Sequence, residues 1–396
     1  MKSEPSKQGR GQKGSRQKLR QFLPHAFLLS GLQWVLVLAV FCCLIFLLPF
    51  IWEKVESFES ELNYRVPYVA SQDYWQYERH LKERSEDTEI FFVGDSVVWG
   101  EYVVADATWS AFLNEQSSGK HQFVNMALNG LYPLALEGLV RYYGKDLTRR
   151  KVLLHCNLLW MSSPQADLSQ SKEQVFNHPT LVPQLRIQIP SYRATLDTRL
   201  GRFIGHQWSF LAWVRHLQIQ YWEQKDPYAW TLVDDGQYPP TYPNAYSLPW
   251  SAVDLNLIKE LDPDPERGPQ SSRHKPWSED GVGTQRFDWV NLDDSLQWQA
   301  FKRLSQLLKE RDNDVFVVLG PFNKHIMTKE NLNRFVEIEN DVKRWFESSS
   351  LRFVAPNVLE SFLYGDASHP LTEGYRLLAE SLWSDPEFEQ WLSGRK

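Results

Sequence analysis

Phe91-Phe92-Val93-Gly94-Asp95-Ser96-Val97-Val98-Trp99-Gly100 is an apolar run that leads directly into Gly-Asp-Ser, with a second glycine four residues after the serine. Residues 89–93 are short and apolar enough for a buried strand, and Gly94 permits a tight turn at its carboxyl end. Ser96 is then expected at the mouth of a βα crevice, its N–H at the start of the next helix, where a developing negative oxygen is stabilised. Gly-Asp-Ser alone also fits an ordinary turn, so a nucleophile reading needs partners elsewhere in the chain.

Those partners stand near the other end. Asp366-Ala367-Ser368-His369-Pro370 follows a strand-like run at 351–355 and precedes a helical pattern at 371–383. A carboxylate three residues before a histidine, on one loop, can accept from the imidazole Nδ1–H and fix the tautomer, leaving Nε2 to take a serine proton. Without Ser96 the same residues would read as a helix start with a solvated histidine.

Between these ends the pattern alternates. Strands are expected at 89–93, 122–125, 151–156, 314–319 and 351–354, and helices near 105–115 and at 132–147, 293–311, 329–347 and 371–383. Such alternation implies an α/β protein, a three-layer α/β/α sandwich on a parallel sheet. The stretch 161–290, after the third strand, is too long for a plain loop and is expected to be a structured insertion or a lid. It holds one helix, around 206–222, with Phe210, Trp213, Val214, Leu217 and Tyr221 on one face, suited to core packing or to a membrane surface. Residues 228–250 are rich in Tyr, Trp and Pro; they suit either sugar stacking or a small core for the insertion.

With 396 residues, 42% hydrophobic and 23% charged, the chain can hold one catalytic domain, an anchor and an insertion. Its three cysteines form no disulfide framework: Cys42 and Cys43 lie in an apolar N-terminal segment and Cys156 in a buried strand. No His/Glu or Cys pair has ligand spacing, so neither a metal nor another cofactor is expected. Residues 22–52 contain no Asp, Glu, Lys or Arg, enough for a membrane-spanning helix. The run is too long for the apolar part of a signal peptide and ends without a small-residue cleavage site.

Seven basic residues precede the span (Lys2, Lys7, Arg10, Lys13, Arg16, Lys18, Arg20), whereas Glu53, Glu56, Glu59 and Glu61 follow it with Lys54 alone. The positive-inside rule then places the tail in the cytoplasm and the remainder outside, in a periplasmic or extracellular space. With Glu4 as its only acid the tail carries +6, so the rest of a chain of net −6 carries −12, which argues against a nucleic-acid partner. The expected organisation is a basic tail (1–21), a transmembrane helix (22–52), a polar stalk with a first helix (53–88), the first part of the core (89–160), the insertion (161–290) and the second part of the core (291–396).

These residues resemble the SGNH (GDSL) hydrolase family, whose chemistry lies in four blocks. Gly94-Asp95-Ser96 with Gly100 looks like the first, and Asp366-Ala-Ser-His369-Pro-Leu-Thr-Glu-Gly-Tyr375 like the last. Val124-Asn125-Met126-Ala127-Leu128-Asn129-Gly130 looks like the second and Val152-Leu-Leu-His-Cys-Asn157 like the third. The resemblance implies a flavodoxin-like sheet, Ser96 as nucleophile, His369 as base and Asp366 as its orienter. It also implies an oxyanion hole made by the Ser96 N–H, the Gly130 N–H and the Asn157 side chain. The third block departs from the family's Gly-x-Asn-Asp, with His155 and Leu158 in place of the glycine and aspartate. Asn157 can equally cap the end of a buried strand, and Gly130 can be a turn residue before a helix.

A single anchor, an insertion after the third strand, and Leu319-Gly-Pro-Phe-Asn323-Lys after the fourth are similar to anchored SGNH-like proteins of cell-surface polymer acylation. The alginate O-acetylation proteins and the D-alanyl-lipoteichoic acid transfer protein are of this kind. This likeness implies transfer or hydrolysis of an O-acyl group, acetyl foremost, on a surface carbohydrate, with a membrane-embedded acyl donor protein as partner. The alternative is a non-catalytic SGNH-fold binding or scaffold protein of a surface-polymer modification complex.

Overall fold

The computed structural model describes residues 29–58, 60–84, 89–162, 176–183, 185, 194–222, 257–259, 277 and 283–394. The basic tail and the aromatic stretch 228–250 lie outside them. Five strands, β1 (Glu89–Gly94), β2 (Gln122–Ala127), β3 (Lys151–Cys156), β4 (Asp314–Leu319) and β5 (Arg352–Val354), form one parallel sheet in the order β2-β1-β3-β4-β5. The register pairs Phe91 with Val124 and Val152, Val152 with Val315, and Val317 with Phe353. β1 is buried throughout, as a parallel strand covered on both faces must be.

The described α-helices are α1 (Gly31–Val55), α2 (Tyr74–Glu83), α3 (Ser96–Trp99), α4 (Trp109–Ser117), α5 (Pro133–Tyr142), α6 (Leu196–Gln207), α7 (Ser209–Gln220), α8 (Leu296–Glu310), α9 (Lys329–Ser348), α10 (Thr372–Trp383) and α11 (Pro386–Ser393). The two-residue period of a strand sends alternate side chains to opposite faces. Phe91 and Val93 join a core with Leu136 and Leu139 of α5, Phe301 of α8 and Val342 of α9. Ile90 and Phe92 join a second core with Leu113 of α4, Leu378 of α10 and Trp391 of α11. Helices therefore cover both faces of the sheet.

The sheet strands begin and end within about two residues of the expected positions. Three features differ from expectation. The chain turns at Ser384 into α11, started by Asp385, whose carboxylate accepts from the Glu387 and Phe388 N–H groups, and by Pro386 at the first helical position. The helix expected at 206–222 is α7, and a further helix that was not expected, α6, precedes it; the two are separated at Trp208, whose backbone is extended. The segment 53–84, expected as a polar stalk, instead supplies core: Tyr77 and Leu81 of α2 are buried, and so is a charged cluster. His216 Nδ1 lies 2.8 Å from Asp73 Oδ2 and Nε2 2.9 Å from Glu56 Oε1, while Arg79 bonds the other Glu56 oxygen at 2.5 Å. Burial works to lower the His216 pKa, but the Asp73 and Glu56 carboxylates together outweigh it and lift it to about 9.

By chain contacts the structure divides at Trp52, residues 1–52 forming one unit and 53–396 the other. Helix α1, most of it in the first unit, is 25 residues long with mean hydropathy 3.0 over its most apolar window, long and apolar enough to cross a membrane.

Gly138 in α5 shows how closely the insertion packs on the core. A Cβ there would stand 1.9 Å from the Leu181 carbonyl oxygen, so backbone would have to move. Gly138→Ala gains about 1 kcal/mol of helix propensity, yet overpacking of this kind costs about 1–3 kcal/mol or more. A lowered urea midpoint is expected. A midpoint unchanged or raised would mean that the Leu181 segment yields freely.

Candidate active site

The strand order changes direction between β1 and β3, and the carboxyl ends of both open into one crevice, the usual ligand position in such sheets. Ser96 stands there, at the end of β1. From Glu89 to Gly100 it is the one residue not buried. Asp95 caps α3 by accepting the Val97 N–H at 3.0 Å, and Gly100 ends that helix in a left-handed conformation, φ 91°. A Cβ at Gly94 would lie 2.5 Å from Val98 Cγ2 and 2.9 Å from His155 Cβ, so only glycine lets the chain turn here.

The elbow is held from beneath. Arg65, buried, donates to the carbonyls of Trp99, Gly100 and Val103 at 3.1, 2.9 and 2.9 Å, and lies 4.1 Å over the Trp99 ring. The Tyr375 hydroxyl donates to the Val97 carbonyl at 2.7 Å. These contacts leave Ser96 little freedom to move.

His369 and Asp366 meet the serine from the loop before α10. His369 Nε2 is 2.7 Å from Ser96 Oγ, and Nδ1 is 2.7 and 2.9 Å from the two Asp366 oxygens. Asp366 Oδ1 also accepts the Ser368 and His369 backbone N–H groups, each at 2.9 Å. The Leu319-Gly-Pro-Phe-Asn323 loop braces this turn, since Asn323 N–H donates to the Ala367 carbonyl at 2.8 Å. Trp277, from the insertion, donates its backbone N–H to the Tyr364 carbonyl at 3.0 Å, two residues before Asp366. The insertion thus reaches the loop that carries His369.

Burial would lower the His369 pKa. The Asp366 charge and hydrogen bond, helped by the charges of Asp95 and Glu101, outweigh it and lift the value to about 9. Burial likewise would raise Asp366, but the His369 charge and the backbone donors hold it below the usual carboxylate range. A base must be neutral to accept the serine proton, so the competent form gains with rising pH. For an activated ester, kcat/KM of the free protein is expected to rise about tenfold per pH unit below that pKa and level off above it. Glu101→Gln, by removing a negative charge that favours the imidazolium, should move the midpoint down. A profile flat from pH about 6 to 9 would show that His369 is not the titrating base.

The candidate oxyanion donors come from the segments that follow β1, β2 and β3. Gly130, after β2, has φ 76°, a conformation that favours glycine. Its N–H and that of Ser96 have no acceptor among the described residues. Asn157 does two things. Its Oδ1 accepts the Leu159 N–H at 2.9 Å, which caps the end of β3, and its Nδ2 donates to Asp95 Oδ2 at 3.0 Å, one residue before Ser96. Its second amide hydrogen has no acceptor among the described residues.

Several site residues went unassigned in the sequence reading. Asp95 is a hub: besides Val97 and Asn157 it accepts from Trp160 Nε1 at 3.0 Å, and His155 Nδ1 lies 3.0 Å from its Oδ1. Burial would raise its pKa, but His155 and the Asn157 hydrogen bond hold it below the ordinary range. The Tyr102 hydroxyl donates to Asp366 Oδ2 at 3.2 Å and its ring meets the His369 ring edge-on at 5.7 Å. Asn129 donates to the Glu101 carboxylate. Phe176, from the insertion, stacks on Tyr132 at 5.1 Å and lies where a side chain at 130 would point. Among the described residues no cluster of three His, Cys, Asp or Glu is placed to hold a metal ion.

Fold and site together define an α/β protein with a five-stranded parallel sheet and a serine–histidine–aspartate constellation at its crevice. No protein-family model matches the chain, and no curated protein sequence matches it.

Proposed function

We propose that the protein is a membrane-anchored serine enzyme of the SGNH type, its catalytic unit outside the cytoplasm. It transfers or hydrolyses an O-acyl ester, acetyl foremost, on a cell-surface carbohydrate. The observation that carries this reading is the unbroken chain from Ser96 Oγ through His369 to Asp366, both links 2.7 Å, at the carboxyl end of β1.

Ser96 Oγ attacks the acyl carbonyl while His369 Nε2 takes its proton. The tetrahedral oxyanion is held by the Ser96 and Gly130 N–H groups and the Asn157 amide. Collapse expels the alkoxide, which takes the proton from His369 and leaves the acyl group on Ser96. Water or an acceptor hydroxyl then repeats the steps in reverse, giving an acid or a new ester. Removing one such donor typically costs about 3–4 kcal/mol of barrier. A membrane-embedded acyl donor protein would supply the acyl group in the transfer case.

The test is labelling by a fluorophosphonate probe, followed by turnover of an activated acetyl ester with a panel of oligosaccharides. Labelling at Ser96 and sugar ester formed in proportion to acceptor support a transferase; acetate release that no sugar alters supports an esterase. Absence of labelling in folded protein overturns the enzyme reading and leaves the scaffold reading.

A further inference from the structure

Helix α6 is built inside out. Its polar side packs on the protein: the His206 ring bonds the Thr180 carbonyl and stacks on Tyr142 at 3.9 Å, and Arg202 Nη1 donates to the Pro179 carbonyl at 3.2 Å. Its apolar side faces away. Leu196, Leu200, Phe203 and Ile204 are 68%, 43%, 40% and 46% exposed, and Trp208 and Leu211 extend the stripe at 53% and 38%. The spacing 196, 200, 203, 204 is one face of an α-helix, and a helix packed on a water-soluble core turns such a face inward.

We propose that this face rests on a lipid bilayer, with anionic headgroups attracted by the positive charge that Arg199, Arg202 and Arg215 give the segment. Three observations favour lipid as the occupant. Residues 196–220 contain these three arginines against one acid, Asp197, a local +2 in a chain that carries −12 outside its basic tail. Arg202 and Arg215 line a cleft of about 320 Å³ with Gly201, Gly205 and Trp75, beside the apolar stripe. Phe203 and Trp208 are the residue types that settle at the headgroup boundary. The inference also rests on reading α1 as a membrane span. A tether of that kind holds the unit near lipid at a high effective concentration, so a modest apolar face suffices for docking.

The experiment uses the full chain with Cys42 and Cys43 changed to serine and one new cysteine carrying an environment-sensitive fluorophore. The labelled sites are Phe203→Cys on the stripe, Val37→Cys within α1 and Arg344→Cys on exposed α9. Each is reconstituted into vesicles of neutral or anionic phospholipid whose chains carry bromine quenchers, with circular dichroism confirming the fold. The label at 203 is expected to shift to the blue and lose most of its emission to the quencher, more so in anionic lipid, while that at 344 keeps its emission. Adding Leu200→Glu should reverse the loss at 203 without altering that at 37. Quenching at 37 but not at 203 overturns the docking and leaves the anchor standing, with a protein as the occupant of the stripe. Quenching at neither overturns both, and quenching at 203 alone supports docking without a span.

Discussion

Changing Ser96 to alanine is expected to lower turnover of an activated acetyl ester by on the order of 10⁴–10⁶-fold, and His369→Ala by a similar factor. Ser96 Oγ is the atom that would carry the acyl group, and His369 Nε2, 2.7 Å away, the group that takes its proton. The two act as a unit, so the double variant should lose little more than either single one. Asp366→Asn should retain a small residue of activity, because the Ser368 and His369 backbone donors still hold the loop while the imidazole loses its charged partner. Initial rates and phosphonate labelling measure all four variants. Full turnover in folded Ser96→Ala would remove the mechanism.

The second large effect falls on stability. Asp95 is 2% exposed, and its carboxylate accepts from Val97 N–H, Asn157 Nδ2 and Trp160 Nε1. Asp95→Ala strands those donors in a site closed to water, a loss expected at about 3–5 kcal/mol. Asp95→Asn keeps the shape but turns an amide N–H₂ toward other donors, so it should fall between. Because the folded pKa of Asp95 is depressed, its contribution is present above the ordinary aspartate pKa and is lost as pH falls through the folded value. Urea unfolding at neutral and acid pH tests this. A loss under about 1 kcal/mol for Asp95→Ala would mean that the network relaxes without it.

The sheet was legible in the sequence because its strands are near-continuous apolar runs bounded by turn residues, the pattern a doubly covered parallel sheet demands. The meeting of Ser96 with His369 and Asp366 was legible too, since chemistry restricts which residue types can do that work. Tyr102 was not. Its partner Asp366 lies 264 residues away, and nothing local in Gly100-Glu101-Tyr102 reports the contact beyond the turn it occupies. Asp95 was in plain view within Gly-Asp-Ser, but its role depends on Trp160 and His155, which only the neighbouring strand end brings to it. The stalk reading failed at Glu56, Asp73 and Arg79: charged residues read as solvated unless a distant partner such as His216 neutralises them inside. Asn157 caps β3 through its Oδ1 and, through its Nδ2, bonds Asp95 one residue before Ser96.

The separation of Ser96 and His369 by 273 positions sets an order of events during synthesis. At about 5–20 residues per second, the serine loop leaves the ribosome tens of seconds before the histidine that would activate it. Through that interval the nascent chain holds a serine hydroxyl with no base, as inert toward esters as any other, and Asp366 and His369 arrive only with the closing helices α10 and α11. Ribosome-bound chains halted before residue 366 should accordingly take up no phosphonate probe, however complete β1 and its elbow already are. On the proposed reading, the chain becomes reactive toward acyl esters only once the loop that carries Asp366 and His369 has been made.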